Sequence, residues 1–182
     1  ALEKTGRLDT YINNAGYSAW RSIANIDEDF LSSVLDTNLK GVFWGCKSAL
    51  SVMQAGANIV NVSSIAGKRG SSNNSAYCSS KFAVNAVTQS LAKEVGKQNI
   101  RVNAVCPVIV PTEGLIEALD EPESPAYGNI DGFIDNFRKT QAALPELPTG
   151  EEIGKACLFL ASDDASAVTG QCINVDCGVF PQ

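Results

Sequence analysis

Tyr77 and Lys81 stand four residues apart at the start of a helical stretch, and Ser64 lies thirteen residues before Tyr77 at the end of an apolar, strand-like run. Residues at i and i+4 share a helix face, so the phenol and the ammonium are neighbours. A cation about 4 to 6 Å from a phenolate, at an effective dielectric of about 20, contributes roughly 3 to 4 kcal/mol, or about 2 to 3 pK units. That interaction is expected to bring the phenol toward neutrality, where a general acid/base works best. Ser64 would hydrogen-bond a substrate oxygen and hold it against the tyrosine. The set needs no histidine, and the sequence has none. Each piece alone is commonplace: Tyr-x-x-x-Lys is usually a surface pair, Ser63-Ser64 a cap, and Asn13-Asn14-Ala15-Gly16 a turn. Their order along the chain is what carries information.

The elements that must position these groups alternate. Strand patterns rich in Val, Ile or other apolar residues occur at Leu8 to Asn13, Asn58 to Ser63, Ile100 to Cys106 and Gln171 to Asp176, bounded by turn formers. Helical patterns fill the gaps. Asp27 is placed to cap a helix through Phe30, Val34 and Leu35; a second helix is expected from about Leu39 to Met53 and a third from Tyr77 to Val95. Thr149 with Glu152 three residues on is a capping box opening the run Ile153 to Leu160. This predicts an α/β fold, a Rossmann-like doubly wound parallel sheet covered by helices on both faces. Ligands of such sheets bind beyond the carboxyl ends of the strands. Asn13 to Gly16, Ser64, and Pro107 to Thr112 follow the first three strands, so all three converge on one rim. Pro111 to Pro148, with Pro122, Pro125 and Pro145, reads as an irregular segment with a weak helical pattern around Phe133 to Gln141. Its length suits a mobile binding loop.

The 182 residues, 45% hydrophobic, suffice for one domain with an ordinary core. A net charge of -6 argues against a nucleic-acid or anionic-membrane surface. There is no leader-like start and no run long enough to span a bilayer, which predicts a soluble, cytoplasmic chain. Cys46, Cys78, Cys106, Cys157, Cys172 and Cys177 show no CxxC spacing and have no histidine beside them, so no metal site is expected and buried free thiols are.

Taken together, Asn13-Asn14-Ala15-Gly16, Asn38 within Asp36-Thr37-Asn38-Leu39-Lys40-Gly41, Asn61-Val62-Ser63-Ser64, Tyr77-Cys78-Ser79-Ser80-Lys81, Ile100 to Pro107, and the ending from Thr169-Gly170-Gln171 to Asp176-Cys177-Gly178 resemble the short-chain dehydrogenase/reductase family over essentially the whole sequence. The resemblance implies hydride transfer between NAD or NADP and a secondary alcohol or ketone. It makes Tyr77 the general acid/base. Lys81 would lower its pKa and hold the nicotinamide ribose, Ser64 would orient the substrate oxygen, and Asn38 would support a water leading from Lys81 to solvent. Asn13, Ala15, Gly16, Tyr77, Lys81, Pro107, Ile109 and Thr112 would line the cofactor, with the Ile109 backbone and Thr112 hydroxyl on the carboxamide. It also implies a homo-oligomer, a dimer or a tetramer, built through the second and third helices.

The sequence departs from the family pattern at Val108, where glycine is usual, at Pro111 just before Thr112, and at Cys177, where glycine is also common. It starts near the family's fourth strand and has no glycine-rich phosphate loop; at about 30 residues per βαβ unit, roughly 60 to 80 residues of the pattern are absent. Residues 1–182 are therefore expected to form a single partial domain missing its first strands, with residues 113–148 as a substrate-binding lid. The alternative is a cofactor-free, non-catalytic oligomerising fragment. Glu113, Tyr127, Phe133 and Arg138 in the lid, and Tyr17 and Trp20 near the first motif, are candidates for the pocket wall, and the lid's polar composition suggests a polyol-like alcohol.

Overall fold

The computed structural model describes residues 2–181. Along the chain lie α1 (Leu2–Thr5), β1 (Thr10–Asn13), α2 (Glu28–Leu35), a π-helical turn (Asp36–Lys40), α3 (Gly41–Leu50), β2 (Asn58–Val62), α4 (Ser75–Val95), β3 (Arg101–Pro107), α5 (Glu113–Leu119), α6 (Ile130–Gln141), α7 (Gly150–Ala161) and β4 (Cys172–Val175). The four strands form one sheet in the order β1-β2-β3-β4. All three pairings are parallel, with Asn61 level with Asn13 on one side and with Ala104 on the other.

β2 and β3 read Asn-Ile-Val-Asn-Val and Arg-Val-Asn-Ala-Val-Cys-Pro, without polar alternation, because both faces are covered. Successive side chains point to opposite faces. Ile59 and Val102 pack with Val42 and Cys46 of α3 and Val84 and Ala92 of α4. Val60 and Val105 pack on the other face with Cys157 and Leu160 of α7. The expected two-faced α/β sheet is therefore present. Two polar residues inside it are paired: Asn13 Nδ2 donates to Asn61 Oδ1 at 2.8 Å, and Asn61 Nδ2 to Thr88 Oγ1 of α4 at 2.9 Å, which ties two strands to the helix that carries Tyr77. Among the described residues all six cysteines are free; Cys172 and Cys177 are only half-buried.

The helix starts follow their caps. Asp27 Oδ1 accepts from Phe30 N at 2.8 Å, and the capping box of Thr149 and Glu152 is complete; each such cap is worth about 1 kcal/mol. Two expectations need correction. The second helix does not begin at Leu39: the chain passes straight from α2 through the π turn into α3, with Gly41 N bonding back to Asp36 O. Hydrophobic periodicity at 3.6 residues cannot register the one extra residue of a π turn. The segment from Pro111 to Pro148 is not irregular either. It contains α5 and a 12-residue α6, capped by Thr112 and Asn129. The Glu123 carboxylate accepts from Ser22 N at 2.9 Å and Asn25 Nδ2 at 3.0 Å, and so pins the link between these helices to the loop after β1.

Candidate active site

The rim at the carboxyl ends of β1, β2 and β3 gathers Ser64, Tyr77 and Lys81 with the loop after β1. Ser64 follows β2 directly; its Oγ accepts from Ala66 N at 3.1 Å and donates to Pro107 O, at the end of β3, at 3.4 Å. α4 begins at Ser75, so Tyr77 and Lys81 occupy its first two turns, one above the other. Lys81 is 5% exposed; its Nζ donates to Val62 O at 3.0 Å and sits 5.7 Å from the centre of the Tyr77 ring. Ser63 Oγ holds the Lys81 carbonyl at 3.2 Å.

Electrostatics here differ from the simple pair model. Burial raises the Tyr77 pKa above its ordinary value, and the neighbouring hydroxyls of Ser64 and Ser18, which favour the phenolate, offset only part of this. Burial also lowers Lys81 to about 8. The expected lowering of the phenol is thus absent from this structure. The ammonium lies beside the ring with a proton committed to Val62 O, and desolvation penalises both charged forms.

Asn38 sits in the π turn, fully buried. Its Oδ1 accepts from Tyr17 N at 3.0 Å, and its Nδ2 donates to Tyr17 O at 3.0 Å and Ser80 Oγ at 3.1 Å. It thereby joins the loop after β1 to α4, and π turns recur at sites needing such displaced side chains. Gly16 lies against this junction: a Cβ there would stand 3.0 Å from Asn38 Oδ1 and 3.4 Å from Lys81 Nζ.

Two adjoining cavities open on the rim, sharing Ser18, Ser64, Tyr77, Val108 and Leu115 in their walls. One, of about 300 Å³, is bordered by Asn14, Gly16, Tyr17, Lys81, Pro107, Val110 and Thr112. The other, of about 250 Å³, is bordered by Trp20, Ile65, Arg69, Asn74, Ile109, Leu119, Phe133 and Phe137. The structure therefore brings Gly16, Ser64, Tyr77, Lys81, Pro107 and Thr112 to the first cavity. It places Asn13 elsewhere, buried with its amide spent on Asn61 and Cys46. Ala15 is exposed and in neither wall, and Ile109 faces the second cavity while Val110 faces the first. In the lid, Tyr127 is 60% exposed and Arg138 pairs with Asp135, so only Phe133 of the four lid candidates lines a cavity. α6 turns Phe133 and Phe137 inward, and the second cavity is mainly apolar, contrary to the polyol-like substrate inferred from lid composition. Ser18 went unnoticed in the sequence because it belongs to no spacing pattern; only the path of the loop brings it to Tyr77.

The first cavity fits the nicotinamide end of a dinucleotide. Gly16 leaves the loop without a side chain beside Lys81, where a flat ring would have room, and Lys81 and Tyr77 would offer donors to ribose hydroxyls. Among the described residues no helix is long and apolar enough to cross a membrane, and no group of His, Cys, Asp or Glu could hold a metal ion.

Known proteins match this arrangement along the whole chain. The family model described as enoyl-(acyl carrier protein) reductase matches residues 1–180. A 3-oxoacyl-(acyl-carrier-protein) reductase of Thermotoga maritima is 36% identical over 185 residues, covering 98% of this chain and 68% of its own length. A 3alpha-hydroxysteroid dehydrogenase of Mediterraneibacter gnavus is 39% identical, covering 96% of this chain and 66% of its own length. Among solved structures, a short-chain dehydrogenase/reductase described as a glucose/ribitol dehydrogenase, from Brucella melitensis, superposes with a TM-score of 0.88 at 31% identity, covering 100% of this chain and 69% of its own. The chain spans about two thirds of the length of these relatives and belongs to the short-chain dehydrogenase/reductase family, whose members are oxidoreductases with this Rossmann-like fold.

Proposed function

We propose that the protein interconverts a secondary alcohol and a ketone with NAD or NADP, Tyr77 acting as general acid/base. The observation that carries this reading is the place of Tyr77 and Ser64 in the wall common to both cavities, where one group can face a cofactor on one side and a substrate on the other. Gly16, Lys81 and Thr112 would hold a nicotinamide, whose chemistry would be to supply or take up the hydride. In the reducing direction the Tyr77 hydroxyl gives its proton to the substrate oxygen as that oxygen gains charge; in the oxidising direction the phenolate takes the proton of the alcohol. Ser64 Oγ turns its hydrogen from Pro107 O to the same substrate oxygen. Lys81 supplies positive charge beside the phenol and would hydrogen-bond the ribose, Pro107 and Thr112 would border the carboxamide, and Asn38 holds Tyr17 and Ser80 so that α4 and the loop keep their spacing. The names of the relatives, a 3-oxoacyl-(acyl-carrier-protein) reductase and a 3alpha-hydroxysteroid dehydrogenase, support this reaction class.

The test is nicotinamide reduction by the chain joined to a glycine-rich phosphate-binding segment, over a panel of secondary alcohols. Turnover that depends on Ser64 and Tyr77 supports the reading; a form that binds NAD or NADP yet oxidises none of the panel contradicts it. Self-association is proposed through α3 and α4, where Phe43, Trp44 and Phe82 are 53%, 56% and 46% exposed beside a groove between the two helices. Light scattering would give a dimer or larger for the wild type and a monomer after Trp44→Glu.

A further inference from the structure

We infer that the substrate carries a carboxylate, and that Arg69 is the residue that reads it. This rests on the proposed reaction at Tyr77 and narrows its substrate class. Arg69 is the one charged side chain in the wall of the substrate-side cavity, and no acidic side chain lines that cavity among the described residues. The rest of the wall is built from Trp20, Ile65, Leu119, Phe133 and Phe137, with a few neutral polar groups. Arg69 is half-buried, and the rings and aliphatic chains beside it screen its field less than open solvent would.

The arginine is also held without being neutralised. Its Cζ lies 5.7 Å from the centre of the Phe180 ring, and among the described residues no carboxylate pairs with it, whereas Arg7, Arg21 and Arg138 each have an acidic partner. A cation–π contact of this kind engages no N–H group, which leaves the N–H edge of the guanidinium for a ligand. That edge matches a carboxylate in a two-point, charge-assisted pair. The chain is short of positive charge, at -6 overall, and places this cation on the same rim as the proton-transfer groups. The fitting molecule has a small apolar body against Phe133 and Phe137, a carboxylate at Arg69 and a hydroxyl or carbonyl at Ser64 and Tyr77: a hydroxy acid or the matching oxo acid.

Two arms separate this inference from the reaction it refines. In the first, benzoate and benzamide are titrated into the chain by calorimetry or ligand-observed NMR, with Arg69→Gln and Arg69→Lys alongside. Benzoate should bind at least tenfold tighter than benzamide to the wild type; Arg69→Gln should abolish that preference and Arg69→Lys restore part of it, all at unchanged circular dichroism. Equal binding of the two probes, or a preference that survives in Arg69→Gln, overturns the inference whether or not the protein has activity. In the second, the chain carrying a phosphate-binding segment is assayed with a hydroxy acid and its methyl ester. Arg69→Gln should raise KM for the acid about tenfold or more, with kcat and the ester nearly unchanged. Turnover of the ester with no preference for the acid defeats the carboxylate assignment and leaves the chemistry at Tyr77 intact; carboxylate-selective binding without any turnover does the reverse.

Discussion

Replacing Lys81 by methionine should change the pH dependence of stability in a calculable way. Lys81 is buried with its pKa lowered from 10.5 to about 8, mainly by desolvation. Between those values the unfolded chain retains a proton that the folded chain has released, so raising pH through the window favours folding. The whole shift of about 2.5 pK units is worth roughly 3.4 kcal/mol at 1.36 kcal/mol per unit, all of it a penalty on the folded state at pH 7. At pH 9 only about 1.5 units of it remain, roughly 2 kcal/mol. The wild-type curve alone does not isolate this. The thiols of Cys46, Cys106, Cys157 and Cys172 are raised by burial, so they stay protonated when folded and ionise when unfolded, and stability falls as pH climbs past the ordinary thiol range. The difference between Lys81→Met and wild type cancels that background for Cys46, Cys157 and Cys172, and pairing the substitution with Cys106→Ala in both proteins removes the one thiol that Lys81 itself lowers. Urea unfolding at pH 7 and pH 9 should show the stability of the variant, relative to wild type, dropping by about 1.4 kcal/mol as wild-type Lys81 sheds its penalty. A difference that stays constant to within about 0.3 kcal/mol would mean that Lys81 is solvated or ion-paired, and the electrostatics described for the site would be wrong.

Other expectations follow from single contacts. Gly67→Ala places a Cβ 2.6 Å from Lys81 O and 2.8 Å from Asn85 Nδ2, so α4 must shift; a loss of about 1 to 3 kcal/mol in chemical unfolding is expected. Cys177 adopts φ 54, a region that costs L-residues about 1 kcal/mol or more, so Cys177→Gly should stabilise by about 0.5 to 1 kcal/mol in the same assay. With the Tyr77 pKa raised, alcohol oxidation should speed up about tenfold per pH unit between about pH 6 and 7.5, since it needs the phenolate, while ketone reduction should stay nearly flat over that range, which lies below the pKa of about 8 at which Lys81 loses its charge; pH profiles measured in both directions check this.

The parallel sheet was legible because β2 and β3 are short, Val-containing apolar stretches bounded by turn formers, and α7 because its capping box is a local signal. The pairing of Ser64 with Tyr77 and Lys81 followed from helical spacing and from the rule that strand carboxyl ends share a rim. What escaped depends on through-space context. The π turn at Asn38 breaks no composition rule, and α5 is seven residues long with a glycine inside it. Ser18 and Arg69 acquire meaning only when loops distant in sequence close around the cavities. The pKa of Tyr77 was misjudged because spacing along a helix gives a distance between groups but says nothing of the water removed from around them.

The most direct test of the central claim is the rate of nicotinamide-dependent alcohol oxidation by the chain with a phosphate-binding segment, compared with its Tyr77→Phe variant at saturating cofactor. Phenylalanine keeps the ring and its packing and removes only the hydroxyl, so kcat should fall by about 10²- to 10⁴-fold while cofactor binding is retained. A Tyr77→Phe enzyme that turns over within a factor of about 3 of wild type would contradict Tyr77 as the group that moves the proton.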